Sequence, residues 1–268
     1  MGLQTFFSQH AVFSLEDLDQ FLSKEGTGNL YTRKALLAYH RRQGRIIIIR
    51  RGLYAVIPIG FSPELFPVDP HLLTAKMTED AVLAYHTALE FHGKAYSAHR
   101  ILYYLSLQKS LPVRFRSNNI RRVAVPRSLH AKGREMFGVE NYQRSGVELR
   151  VTSLERTLVD VLDRPDLAGG WEEIWRSLES VEFFDLDKVI QYSKFLGRAT
   201  TAAKVGFFLE QHKENLMVEE KHFTSLRELR PRQPHYLSRS KQKNCKWVKK
   251  WNLMIPTEII NQSWAEII

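Results

Sequence analysis

The chain has 268 residues, 44% of them hydrophobic, which supplies cores for two domains and excludes a disordered chain. Its single cysteine, Cys245, excludes intramolecular disulfides and cysteine-based zinc clusters, and no apolar run approaches the roughly 18 residues of a membrane helix. The net charge of +10 sits at the two ends: residues 1–60 hold eight basic and four acidic side chains and residues 221–268 hold ten and three, whereas the middle is balanced. Met1–Phe13 carries neither a charged leader nor a long apolar stretch, so the expectation is a cytoplasmic protein with no membrane partner.

Ser14 and Asp17 form a capping box and Phe13 and Leu18 a hydrophobic staple, which predicts a helix from Leu15 to about Lys24, broken by Gly26 and Gly28. A second helix is predicted from Leu30 to Gln43, ending at Gly44. Ile46–Ile49 then pairs with Leu53–Ile57 across Arg50-Arg51-Gly52 as a hairpin. Helix, turn, helix and hairpin in this order are the layout of a winged helix-turn-helix. Between Tyr31 and Tyr54 stand seven basic residues and not one acid. At 100° per residue Tyr31, Lys34, Ala38, Arg41 and Arg42 share one side of the second helix, and Leu36, Leu37, Tyr39 and His40 fall toward the other. A recognition helix brings its N-terminal residues to base edges, so Tyr31, Thr32, Arg33 and Lys34 are candidates for readout. Arg41, Arg42, Arg45, Arg50 and Arg51 are candidates for phosphate contact.

Pro58–Pro67 reads as a linker, which places a domain boundary at residues 60 and 61. Asp69-Pro70 predicts a helix start, with helices over Pro70–Lys76 and Glu79–His92. Strands are predicted at Ile101–Leu107, Val113–Arg116, Ile120–Val125 and Val147–Val151, then helices at Leu154–Leu162, Trp171–Leu178, Leu186–Phe195 and Thr200–His212. Strands and helices are segregated, so the fold class is α+β, with residues 61–268 forming one larger domain. The segment Arg227–Lys250 is basic and proline-containing, and Trp251–Ile255 returns as a last strand. Tyr236, Trp247 and Trp251 interleave with Arg239, Lys241, Lys243, Lys246, Lys249 and Lys250 in and just after the basic segment 221–250, a mixture suited to single-stranded nucleic acid or to aromatics packed beneath solvated lysines. On a helix Trp247 and Trp251 would share a face.

Catalytic patterns are absent: there is no phosphate-binding loop, no HExxH and no GxSxG. His86, His92 and His99 are not spaced to put ligands on one helix face, so no metal and no cofactor is expected. Glu155, Asp160 and Asp163 are the densest carboxylates, yet Glu155 and Asp160 lie about 140° apart round a helix, Asp160 with Asp163 is an ordinary solvated pair, and Arg156 four residues before Asp160 makes a surface ion pair with it. The chain reads as a non-enzyme, and the alternative is a nucleic-acid-processing nuclease carried to its target by a winged helix.

Gly44–Pro58 (GRIIIIRRGLYAVIP) resembles the wing of AbiEi-type antitoxins of type IV toxin-antitoxin systems. Val151–Leu178 (VTSLERTLVDVLDRPDLAGGWEEIWRSL) is similar to a helical signature of that family's C-terminal domain, with fainter likenesses at Ala202–Glu210 and Trp251–Pro256. The resemblance implies a phage-defence antitoxin whose N-terminal winged helix binds inverted repeats in double-stranded DNA of its own promoter and represses it. It further implies that the C-terminal domain counters a cognate nucleotidyltransferase toxin without a stable complex. Carried to residues, it covers the basic positions from Tyr31 to Arg51 and the helix holding Glu155, Arg156 and Asp160; the basic segment 221–250 has no counterpart.

Overall fold

The computed structural model describes residues 3–26, 29–237 and 244–266 and shows an α+β protein. Gly28, Arg239, Lys241 and Lys243 lie outside the described residues. The chain divides into two compact units, each built from three segments: Met1–Leu83, Arg100–Val123 and Asn141–Arg150 in the first, and Ala84–His99, Ala124–Glu140 and Val151–Ile268 in the second.

The first unit opens with helix α1 (Leu3–Gln9), strand β1 (Val12–Ser14), helices α2 (Leu15–Lys24) and α3 (Leu30–Arg42), and the hairpin β2 (Ile46–Arg50) and β3 (Leu53–Val56). The three strands lie in the order β1-β3-β2. The capping box at the start of α2 is complete: Asp17 N donates to Ser14 Oγ at 3.1 Å, and Ser14 N donates to the Asp17 carboxylate at 2.7 Å. The staple residues Phe13 and Leu18 are buried with Phe6, Phe7, Leu22, Ile46 and Val56 in one core, each large side chain contributing roughly 1.5–3 kcal/mol by leaving water. Asn29 caps α3 by accepting from Thr32 N at 2.7 Å, and Arg41 and Arg42 in its last turn complement the helix dipole. Gly52 closes the hairpin at φ +83°, where a residue with a Cβ would be strained.

Residues beyond 60 belong to this same unit, so its limit is not the boundary at residues 60 and 61 that the proline-rich stretch suggested. The reason is polar anchoring. Lys76 Nζ reaches both carboxylate oxygens of Asp17 at 2.9 Å, and Arg50 donates to the Met77 carbonyl at 2.7 Å. Helix α4 (Pro70–Ala75), capped by Asp69, leads into a second sheet of β4 (Val82–Leu83), β5 (Ile101–Ser106), β6 (Val113–Phe115), β7 (Asn118–Ala124), β8 (Val139–Arg144) and β9 (Val147–Thr152). Its order is β6-β7-β5-β4-β9-β8. The long helix expected over Glu79–His92 does not form at its start. Asp80 accepts from Ser106 Oγ and Leu107 N, both at 2.6 Å, which sets Val82 and Leu83 against Leu105 and Tyr104 as a strand. A buried apolar run has the same pattern as strand or helix, and here the sheet takes it.

In the second unit the chain turns at Tyr85, φ 58°, into the short helix α5 (His86–Phe91). Helices α6 (Arg127–His130), α7 (Leu154–Asp163), α8 (Trp171–Glu179), α9 (Leu186–Leu196), α10 (Ala199–Gln211) and α11 (Glu220–Leu229) follow, then β10 (His235–Tyr236), β11 (Cys245–Val248), β12 (Leu253–Pro256) and α12 (Thr257–Ile260). Four of the helices lie where the periodicity put them, helped by local end signals: Ser153 and Asp185 cap α7 and α9, and Gly197 ends α9 in the left-handed region. Leu158, Trp175, Tyr192, Phe208 and Trp251 are among the fully enclosed members of its core. The segment holding Trp247 and Trp251 is a hairpin, not a helix. β11 runs antiparallel and β10 parallel to β12, which leaves Trp247 53% exposed and Trp251 fully buried. No helix among the described residues is long and apolar enough to cross a membrane.

Candidate nucleic-acid interface

Helix α3 carries no fully buried side chain. Leu36, Leu37 and His40 turn half-buried toward the core of the first unit, while Tyr31, Lys34, Ala38, Arg41 and Arg42 lie on the face that the angular count assigned to them and are exposed there. Tyr39, expected on the inner side, is 52% exposed instead. Tyr31 stands 85% exposed at the first turn, and Thr32 beside it is occupied through its backbone N–H in the cap. The His40 ring meets Phe7 edge-on at 4.9 Å; burial, and then the charge of Arg45, holds its pKa below the ordinary histidine value.

The nine sequence-predicted contact residues do not all stand free. Arg33 pairs with Asp19 of α2, Arg45 donates to Gln4 at 3.3 Å, and Arg50 donates to the Met77 carbonyl, so these three guanidinium groups already have partners within the first unit. The Nε atoms of Arg45 and Arg50 are buried without a hydrogen-bond partner among the described residues. Lys34, Arg41, Arg42 and Arg51 are exposed, and none of them has an acidic partner among the described residues. Together with Tyr31 they present a polar aromatic and four cations on one helix face and one hairpin turn, a set able to neutralise phosphates and reach a groove.

The carboxylates considered for a nuclease do not converge. Asp160 is buried, accepting from Tyr192 Oη at 2.7 Å and Arg156 Nε at 3.4 Å, and burial pushes its pKa above the usual carboxylate range. Asp163 is taken by Arg198 and by Thr201 Oγ1, and Glu155 accepts from Asp185 N. The Arg156–Asp160 pair expected at the surface is therefore an interior one, with Arg156 also donating to the carbonyls of Glu135 and Phe137 at 2.6 and 2.8 Å. A cleft of about 1660 Å³ in the second unit is lined by Asp163, Arg164, Asp166, Arg198, Lys204 and Tyr236 among others, but Arg164 pairs with Asp166 and Arg198 with Asp163, so its charge is largely balanced from within.

One group escaped the spacing argument. His86, His99 and Glu173 bring ligand atoms within 4.8 Å of one another, from α5, the segment after it and α8. Their separation along the chain matches no metal-binding motif, and no local signal in the sequence joins them.

Neither a protein-family model nor a curated protein matches this chain. Among solved structures, the RV2827C protein of Mycobacterium tuberculosis is similar, with a TM-score of 0.61 over 98% of this chain and 94% of that one at 17% identity. At that identity the likeness shows the fold alone.

Proposed function

We propose that the protein is a DNA-binding autorepressor and the antitoxin of a type IV toxin-antitoxin pair, acting in the cytoplasm and without catalysis. The observation that carries the DNA-binding part is the exposed set Lys34, Arg41, Arg42 and Arg51, cations with no acid paired to them among the described residues. The order α1-β1-α2-α3-β2-β3 with the sheet β1-β3-β2 supports a winged helix-turn-helix reading in which α3 enters the major groove and the β2–β3 turn lies on the backbone. Antitoxin activity against a nucleotidyltransferase, exerted without a stable complex, rests on the resemblance of Gly44–Pro58 and Val151–Leu178 to AbiEi-type antitoxins.

The test uses substitution, because the first unit extends past residue 60 and a truncation there would cut it. Changing Lys34, Arg41, Arg42 and Arg51 to glutamine should abolish a gel shift of the protein's own promoter at physiological salt. In low salt, where residual binding can be followed, the slope of log affinity against log salt should flatten by up to roughly 0.9 for each phosphate that is no longer neutralised. The same variant should still rescue growth from the neighbouring toxin. Unchanged promoter binding would sink the assigned interface, and cleavage of nucleic acid by the pure protein with magnesium would favour the nuclease.

A further inference from the structure

His86 is wholly enclosed and lies between two carboxylates. Its Nε2 is 3.0 Å from Glu173 Oε1, and its Nδ1 is 3.5 Å from Glu90 Oε1 with no hydrogen-bond partner among the described residues. A neutral imidazole carries one N–H. If the proton is on Nε2, the Nδ1 lone pair faces Glu90; if it is on Nδ1, the Nε2 lone pair faces Glu173 at contact distance. Either tautomer leaves one nitrogen lone pair against a carboxylate oxygen. Either a second proton on the ring or a cation bound at Nε2 removes the conflict; with the cation, Nε2 and Glu173 both face positive charge while Nδ1–H points to Glu90.

The surroundings fit that reading. His99 stacks on His86 with centroids 3.6 Å apart and planes 5° apart, and its backbone N–H donates to Glu90 at 2.7 Å. Gly169 leaves the space that the His99 ring uses: a Cβ there would lie 2.5 Å from His99 Cε1. Glu173 is oriented by Ser97 N, Ser97 Oγ and Ser177 Oγ at 3.0, 2.6 and 3.2 Å, the outer hydrogen bonding that fixes a ligating carboxylate.

We propose that His86 Nε2, His99 and Glu173 bind a divalent transition metal of the zinc class, with Glu90 orienting His86 through Nδ1. Two imidazoles and one carboxylate suit Zn²⁺, at about 2.0–2.2 Å per bond. The 3.0 Å between His86 Nε2 and Glu173 Oε1 is close to the separation of two ligands on one such ion. Parallel rings do not aim their nitrogens at one point, so closure requires the half-buried His99 ring to turn, and a water completes the four positions. The bound ion would clip the Ala84–His99 segment onto α8.

The full-length protein, stripped of metal with chelator, is titrated with zinc chloride by calorimetry and with cobalt chloride by visible absorption. The expected result is one zinc per chain, a raised Tm and the absorption bands of a four-coordinate cobalt site. Glu90→Gln should keep the stoichiometry and lose affinity about 10–100-fold. His99→Ala, at a half-buried position, should abolish that site while the protein stays folded. No zinc binding by the folded wild type, or equal affinity in wild type and His99→Ala, overturns the proposal and leaves the cluster as a buried polar contact.

Discussion

The carbonyl oxygen of Gln9 occupies the place that a side chain at Gly146 would need: a Cβ built there lies 1.4 Å from it. Ser145 and Gly146 form the turn between β8 and β9, with φ 49° and 73°, and Ser145 O accepts from Ala11 N at 3.4 Å. The tip of this hairpin therefore rests on the backbone between α1 and β1. Gly146→Ala should cost about 2–4 kcal/mol in urea unfolding, because the close backbone approach must open as well as φ being strained. Gly26→Ala, also at positive φ but with open space at its Cβ, should cost only about 1 kcal/mol. Equal losses at the two glycines would show that the approach to Gln9 is loose.

Among the described residues Asp19 pairs with Arg33, one of the sequence-predicted contact residues left out of the proposed set. Its bond to Arg33 joins α2 to α3 across a half-exposed site, an interaction worth little to stability. Asp19→Asn should leave Tm nearly unchanged, release Arg33 and remove a negative charge, so promoter affinity should rise and its salt slope steepen by up to about 0.9. Arg33→Ala in the same assay should weaken binding less than Lys34→Ala, because Lys34 has no acid paired to it among the described residues. The reverse order would mean that Arg33 leaves Asp19 when DNA binds.

Much of the local architecture was legible because its signals are short in range. Ser14 with Asp17, Asp69 with Pro70, and Gly197 each mark an element end through one or two neighbouring residues, and those ends are where the structure has them. What escaped depends on distant partners. Val82 and Leu83 become a strand only because Leu105 and Tyr104 lie alongside, and β8, VENYQR, is an edge strand too polar to show alternation. At the candidate interface the sequence identified the basic face but not which cations were already held, since Asp19, Gln4 and the Met77 carbonyl are brought in by the fold.

The interior pair Arg156–Asp160 makes a prediction that a surface pair would not. Arg156→Met leaves Asp160 without its cation in the core and should cost about 3–5 kcal/mol, whereas Arg156→Met with Asp160→Leu should cost less than the single change. Tyr192→Phe removes the 2.7 Å donor to Asp160 and should cost about 1–3 kcal/mol. A double variant as unstable as Arg156→Met would place the contribution in the bonds from Arg156 to the carbonyls of Glu135 and Phe137.

Asp69 ties pH to the first unit. Burial alone would raise its pKa, but the His71 side chain, the Arg144 guanidinium at 3.0 Å and the His71 backbone N–H outweigh burial and hold the carboxyl far below the usual range. A carboxyl depressed in the folded state stabilises it above the unfolded pKa of about 3.9, and that contribution is lost as pH falls through the folded value. Asp69→Asn should therefore be less stable than wild type at pH 7, and the difference should shrink steadily below about pH 4. A difference that stays constant from about pH 7 to about pH 3 would assign the loss to the cap of α4 rather than to charge.

The two tryptophans of the C-terminal hairpin should separate cleanly, because the sheet gives them opposite environments. Trp251 is fully enclosed, donates through Nε1 to Glu210 at 2.6 Å and lies so close to α10 that a Cβ on Gly206 would be 2.2 Å from its ring. Trp251→Ala should cost about 3–5 kcal/mol and Gly206→Ala should also destabilise, while Trp247→Ala at an exposed site should change stability by less than about 0.5 kcal/mol. The charges divide in the same way. Lys250 is paired with Glu210 at 2.6 Å, whereas Lys246 and Lys249 are exposed. If this segment reaches phosphates, Lys246→Gln with Lys249→Gln should flatten the salt slope of promoter binding by up to about 0.9 for each phosphate released and leave the ratio of specific to non-specific affinity unchanged. A slope that does not move would leave Lys246 and Lys249 as solvated residues of the hairpin, and a selective loss of single-stranded RNA binding in Trp247→Ala would assign the exposed ring to stacking on bases.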